Sequence, residues 1–212
     1  KTGEKVTVNA KNVILATGGY NFDTDLVKKT TGIDMIPVGA PGRTGDGINM
    51  AFAVGAVGDN MGPMMINGAF MPAEGEAICN GPNKEVRALF RQGLLYVDGT
   101  GNRFFDEELT IDWPTSNAIA RSGEWTYIVF DEKTKKEIET EGKGYLNPCG
   151  NFILRGQRAT QLDELLKANE KKGNVFIGQT IEEVAKKAGM DPQILKASCD
   201  NITKYARQGR DD

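Results

Sequence analysis

Ala10-Lys-Asn-Val-Ile-Leu-Ala-Thr-Gly-Gly19 and, after a variable piece, Thr44-Gly-Asp-Gly47 opening an apolar run that closes on Val54-Gly-Ala56 decide how this chain is read. Val13-Ile-Leu-Ala16 is a short apolar run stopped by two glycines, the pattern of a buried strand entering a tight turn. Gly18 and Gly19 lack Cβ, which suits a backbone that takes positive φ or closely approaches a ligand. Thr44-Gly-Asp-Gly47 repeats the arrangement ahead of a helix predicted over 48–56. Helix N-termini present unpaired N–H groups to anions and polar ligands. Each cluster also has a plain reading, as a turn after a strand or a cap before a helix. Together they form two glycine turns that can line one nucleotide, which points to a dinucleotide site. Its contacts would come from Ala16, Thr17, Gly18 and Gly19 in the first turn and Thr44, Gly45, Asp46 and Gly47 in the second.

The surrounding composition is that of a soluble globular chain. Its 212 residues carry a net charge of -3, with 26% charged side chains, enough length for one large domain or two small ones. No run approaches the roughly 20 apolar residues of a membrane-spanning helix. Lys and Arg are scattered, so nucleic acid is not an expected partner. Cys79, Cys149 and Cys199 are widely separated and odd in number, which fits buried thiols rather than a disulfide framework or a metal site. Histidine is absent. Proton transfer would therefore fall to Asp, Glu, Lys, Arg, Tyr or Cys.

Outward from the glycine turns, Val6-Thr-Val8 alternates and is expected to pair with Val13-Ile-Leu15. Asp23 caps a predicted helix over 24–30 that Gly32 ends. Residues 35–43, with two prolines and two glycines, read as loop. The helix over 48–56 has no charged side chain and is expected to be buried on most sides. Residues 61–82 hold four methionines and three prolines without a period. They read as packing against a neighbouring domain or as a wall of a substrate cavity.

Leu94 to Asp98 and Arg103 to Phe105 read as two strands around the turn 99–101, followed by the acidic cluster Asp106-Glu-Glu108. A helix is expected over 115–121, a strand over 125–130, and a charged helix over 132–141 capped by Asp131. Thr160 caps a helix over 162–171 with the stripe Leu162, Leu165 and Leu166. Residues 175–177 read as a short strand. Thr180-Ile-Glu-Glu183 is a capping box ahead of 184–188, closed by Gly189. Asp191-Pro192 starts a long helix to residue 207, with Ile194, Ala197, Ile202 and Tyr205 on its apolar side.

The strand with Ala-Thr-Gly-Gly-Tyr, the Thr-Gly-Asp-Gly helix, Gly93-Leu-Leu-Tyr-Val-Asp-Gly-Thr-Gly-Asn-Arg-Phe-Phe-Asp-Glu-Glu108 and the last helices together resemble the flavoprotein subunits of the fumarate reductase and succinate dehydrogenase family. The resemblance covers nearly the whole chain. It implies an FAD-dependent oxidoreductase acting on CH–CH groups, with both glycine turns against the flavin dinucleotide. It also implies an α+β fold: a partial FAD-binding domain over 1–58, then a helix-rich capping domain over 59–212 in which the last helices can move as a lid.

The opening strand with Gly-x-Gly-x-x-Gly of such domains has no match here, and in the family it lies upstream. A further flavin segment lies downstream. The chain thus reads as an internal piece of a larger flavoprotein. FAD belongs to the intact parent and would be absent from, or weakly held by, this piece, which is expected to be inactive alone. Its partners would be the missing parts of its own FAD domain and a small enoate-type substrate. Exposed apolar faces at 13–16 and 48–56 predict self-association of the isolated piece. The compartment is not indicated.

Within the family, one arginine after the Arg-Phe-x-x-Glu stretch donates the proton. Here the matching run Arg103-Phe-Phe-Asp-Glu-Glu-Leu-Thr-Ile111-Asp112 puts Ile111 at that position, and a branched hydrocarbon can neither donate a proton nor grip a carboxylate. The family's histidine is missing as well. Fumarate itself is therefore not the expected substrate, and a less charged, aromatic or enoate compound is. Arg87, Arg91 and Tyr96 are the replacement donor candidates. Their plain readings are a solvated helix face for the arginines and amphipathic packing for the tyrosine. A scaffold that has kept the flavin fold and lost turnover is the alternative.

Overall fold

The computed structural model describes residues 3–37, 41–62, 85–86, 89, 93–104, 106–107, 126–142 and 156–209. Two compact units divide the chain, Lys1–Gly62 and Pro63–Asp212. Among the described residues there are six helices and a two-stranded sheet, compatible with an α+β class.

Unit 1 contains α1 (Thr24–Thr31) and α2 (Asp46–Ala53). Asp23 caps α1 as its sequence predicts, accepting from the Leu26 N–H at 3.0 Å, and Gly32 closes it. Leu26 and Val27 are buried. The expected strand at 13–16 is a correction. Val13 and Ile14 are 79% and 89% exposed, and residues 3–19 join no ladder among the described residues. A strand needs neighbours, and a lone two-stranded hairpin is marginal in water. The α2 expectation also needs correcting. The helix begins at Asp46, ends at Ala53, and buries only Gly47 of its residues. The absence of charge after Asp46 signals apolar surface, and in this chain most of that surface faces outward.

Unit 2 is layered. β1 (Leu95–Asp98) pairs antiparallel with β2 (Thr126–Val129), with Leu95 opposite Val129 and Val97 opposite Tyr127. Among the described residues of the predicted partner at 103–105, Arg103 forms an isolated bridge to Val97 rather than a strand. Helices α3 (Glu132–Glu141) and α4 (Leu162–Glu170) cover one face of the sheet. There Leu94, Ile138, Leu162 and Leu166 form a core with Ile128 and Phe130 against it. The other face takes α5 (Ile181–Ala188) and α6 (Pro192–Gln208). Leu95, Val97, Ala185, Met190 and Leu195 make the second core, flanked by Tyr127 and Val129. Successive strand residues face opposite layers, so the unbroken run Leu94-Leu-Tyr-Val is the sequence of a strand buried on both sides.

Local signals hold well in unit 2. Asp131 caps α3 by accepting from Thr134 N–H at 2.7 Å. Thr180 Oγ1 accepts from Glu183 N–H at 3.1 Å, and Glu183 accepts in return from Gln179 N–H at 2.8 Å. Asp191 caps α6, with Pro192 in its first turn. Three expectations are corrected. Gln161, not Thr160, occupies the α4 N-cap, and its N–H is met at 2.7 Å by the Glu85 carboxylate, far away in sequence. Residues 175–177 form no strand. On α6 the buried positions are Leu195 and Ser198, while Ala197 is exposed. The helix thus presents a face slightly rotated from the one its sequence suggests. The expected helix over 115–121 and most of the Met-rich 61–82 lie outside the described residues.

Candidate cofactor site

The two glycine turns meet within unit 1. Gly45 is the N-cap of α2 with φ 71°, and its N–H donates to the Gly19 carbonyl at 3.3 Å. A Cβ on Gly45 would stand 2.9 Å from Tyr20 Cβ. One on Gly47 would stand 2.1 Å from Thr17 Oγ1 and 3.1 Å from both Thr17 Cβ and Cγ2. Threonine is short and β-branched, so it has little room to swing aside. Both glycines are therefore the condition on which the second turn can lie on the first.

The first turn is open outward. Gly18 has φ 85°, and a Cβ on Gly18 or Gly19 would meet nothing within 4 Å. Ala16, Thr17, Gly18 and Gly19 are exposed, as are Thr44 and Asp46. Thr44 Oγ1 donates to Asp46 Oδ1 at 2.8 Å. No side chain caps the first turn of α2, so its leading N–H groups are left to solvent or a ligand. The helix dipole there favours negative charge, but the Asp46 carboxylate already occupies that turn. The turn therefore suits hydrogen-bonding, uncharged parts of a ligand better than a second anion.

Neighbouring groups brace the two turns. Phe22 N–H donates to the Arg43 carbonyl at 3.0 Å, and Asn49 Nδ2 donates to Asp23 Oδ2 at 3.4 Å. The Tyr20 hydroxyl donates to the Met61 carbonyl at 2.6 Å. Tyr20 was legible only as an aromatic after two glycines. Its bracing of residue 61 is a long-range contact that no local pattern announces.

Of the proton-donor candidates, Arg87 and Arg91 lie outside the described residues, as does Ile111. Tyr96 sits in β1 of unit 2 and is 4% exposed, with its N–H donating to Glu107 Oε1 at 3.1 Å. Cys199 is half-buried, and burial pushes its thiol above the usual range, which disfavours the thiolate form that reacts. No group of three or more potential metal ligands occurs among the described residues. No helix among them is long and apolar enough to cross a membrane.

Comparison with known proteins matches a family model described as an FAD binding domain over residues 1–212. A vinyl phenol reductase of Lactiplantibacillus plantarum is 28% identical over 100% of this chain and 44% of its own length. A fumarate reductase (cytochrome) of Shewanella frigidimarina is 28% identical over 78% of this chain and 27% of its own. An NADH:acrylate oxidoreductase of Vibrio harveyi is 24% identical over 94% of this chain and 18% of its own. The chain thus spans less than half the length of each of these relatives.

Proposed function

Since this chain belongs to the family of FAD-binding domains, we propose that it supplies the inner flavin turns and the substrate cap of an oxidoreductase that reduces, or forms, an activated carbon–carbon double bond other than that of fumarate. The observation that carries the flavin part is the seating of Thr17 against Gly47 and of Tyr20 against Gly45. Two separate glycine turns make a single exposed cradle, and a side chain at either second-turn glycine would break it. Thr17, Gly18, Gly19, Thr44 and Gly45 would hold the cofactor through backbone and hydroxyl groups, with Ala16, Asp46 and Gly47 shaping the cradle. FAD would supply the hydride chemistry, and the protein would supply orientation and a proton.

In this reading residues 1–58 belong to the flavin domain and 59–212 to the cap. Ile111 at the position of the family's arginine, and the absence of histidine, leave no matching group to grip a second carboxylate. An aromatic or enoate substrate with at most one carboxylate fits that loss. Two of the relatives are named for substrates of this kind, a vinyl phenol and acrylate. The proton would come from Arg87 or Arg91, with Tyr96 a weaker candidate because its side chain is closed off in unit 2.

The test is the visible spectrum of the full-length flavoprotein, reduced without oxygen and then offered fumarate, acrylate or a vinyl phenol. Reoxidation of the flavin by either of the last two, with fumarate inert, is the expected result. Rapid reoxidation by fumarate would refute the substrate reading. A flavin that no unsaturated compound reoxidises would favour a scaffold that binds flavin without turnover.

For the 212-residue chain alone, the exposed Val13, Ile14, Met50, Val54 and Val57 would drive self-association. Sedimentation across a concentration series should show species heavier than a monomer. A monomer throughout the series would remove this part of the proposal.

A further inference from the structure

Among the described residues, the outer layer formed by α5 and α6 is fastened to the sheet of unit 2 by a polar contact at Ser198. Ser198 is 6% exposed, and its Oγ donates to the Gly101 carbonyl at 2.7 Å while accepting from Arg103 N–H at 3.1 Å. Gly101, at φ 100°, lets the turn after β1 lie directly on α6. A Cβ there would stand 3.1–3.2 Å from Leu195 N, Cα and Cβ. The same turn is rigid on its own account, since Asp98 Oδ1 accepts from the N–H groups of Thr100, Gly101 and Asn102. Burial raises the Asp98 carboxyl, but the hydrogen bond from the Thr100 hydroxyl, followed by those from the N–H groups, outweighs it and holds the pKa below the ordinary value.

Arg103 extends the fastening. Its Nε donates to Glu107 at 2.9 and 3.1 Å, and its guanidinium lies 6.0 Å from the centre of the Tyr205 ring of α6. Glu107 is 4% exposed and also accepts the Tyr96 N–H of β1 at 3.1 Å. Its carboxylate therefore ties β1, the turn and, through Arg103, α6 together. A buried charge held this way is costly to strand, because removing one partner leaves the other desolvated and unpaired. The α3–α4 layer on the opposite face has its own core, built from a separate set of buried residues.

We infer that Ser198 with the Arg103–Glu107 pair forms a latch, and that the α5–α6 layer opens from the sheet as one cooperative unit while the α3–α4 layer stays closed. Proteins open locally in contiguous cooperative units that often coincide with supersecondary motifs, and here each helical layer closes a separate core on its own face of the sheet. Opening would uncover the apolar face of Leu95, Val97, Tyr127 and Val129 without disturbing the opposite core. The inference concerns unit 2 alone and is independent of the flavin reading.

Native-state hydrogen exchange of the full chain, read by mass spectrometry on peptides from each layer, tests it. In the unmodified chain, peptides across 181–208 should share one opening free energy below that of peptides across 132–141 and 162–170. Ser198→Ala leaves the Gly101 carbonyl and Arg103 N–H without their partner, so exchange across 181–208 should rise by about tenfold or more. Exchange across 132–141 and 162–170 should change less than about twofold. Glu107→Gln should shift the same peptides in the same direction. Equal acceleration in both layers would show a single cooperative unit and overturn the inference. Unchanged exchange in 181–208 for both substitutions would overturn the latch. Should either variant fail to fold, a denaturant series on the unmodified chain still decides, since one shared opening free energy for both layers refutes separate opening.

Discussion

Unit 1 and unit 2 use similar apolar side chains to opposite ends. In unit 2, Val97, Leu162 and Leu195 are at most 1% exposed, each closed in by a helical layer. In unit 1, Ile14 is 89% exposed, Val54 86% and Val57 91%. A single exposed Leu or Val is ordinary on any protein, but a run of them on neighbouring elements marks a contact surface. Unit 2 completes its own core from the residues described. Unit 1 assembles the two glycine turns yet leaves its strand-like run without a ladder, so its sequence carries more burial than it achieves here.

The largest effect should come from truncating the unit 2 core. Leu162→Ala or Leu195→Ala removes a fully enclosed side chain and should cost about 2–5 kcal/mol of unfolding free energy. Ile14→Ala in the same chain should change stability by less than about 0.5 kcal/mol, because nothing encloses it. Urea unfolding followed by far-ultraviolet circular dichroism measures both. The comparison sharpens in the full-length flavoprotein, where the same Ile14→Ala should become costly if the run at 13–16 is a buried strand there. An equally small effect in the longer protein would mean that the exposure is a permanent property of unit 1.

A smaller and more local effect is expected at the cradle. Gly47→Ala drives a methyl group into the Thr17 side chain, and overpacking of this kind costs about 1–3 kcal/mol. In the full-length flavoprotein the two turns should separate and flavin should be released more readily. The ratio of flavin to protein absorbance after dialysis reads this directly. Thr17→Ala combined with Gly47→Ala should recover part of the loss by clearing the Oγ1 and Cγ2 contacts. Full flavin retention by Gly47→Ala would show that the close seating of the turns is not what holds the cofactor.

Sequence reading succeeded where the deciding contact lies within one helical turn. Asp23, Asp131, Thr180 and Asp191 each cap the helix expected of them, because a cap is a bond between neighbours in sequence. It faltered where the partner is remote. The α4 N-cap is satisfied by Glu85, 76 residues away, which no local pattern can show. On α6, Ala197 looked like part of the apolar side, but the turn at Gly101 selects Leu195 and Ser198 instead. The acidic cluster at 106–108 was visible as charge alone. The role of Glu107 as the buried counter-ion of Arg103 depends on β1 lying beside it. For the cofactor site, the glycines and their order are legible in the sequence, whereas the seating of Thr17 against Gly47 is a contact between turns distant in sequence that no local pattern announces.

The smallest effect distinguishes how the two layers of unit 2 are held. α3 and α4 are joined at the surface by Asp163, which accepts from Lys135 Nζ at 2.5 Å and Lys167 Nζ at 2.6 Å. The hydrogen bond from Lys135, then that from Lys167, brings the Asp163 pKa down to about 2. A depressed carboxyl stabilises the fold above its unfolded value, near 3.9, and that contribution fades as pH falls toward about 2. Asp163→Asn should therefore lower the thermal midpoint slightly at pH 6, with the difference from the unmodified chain closing as pH drops below about 4. Exposure of the carboxylate limits the effect, and salt should shrink it further. The α5–α6 latch is buried and should keep its strength in the same salt. A pH-independent difference for Asp163→Asn would mean that the carboxylate contributes through shape rather than charge.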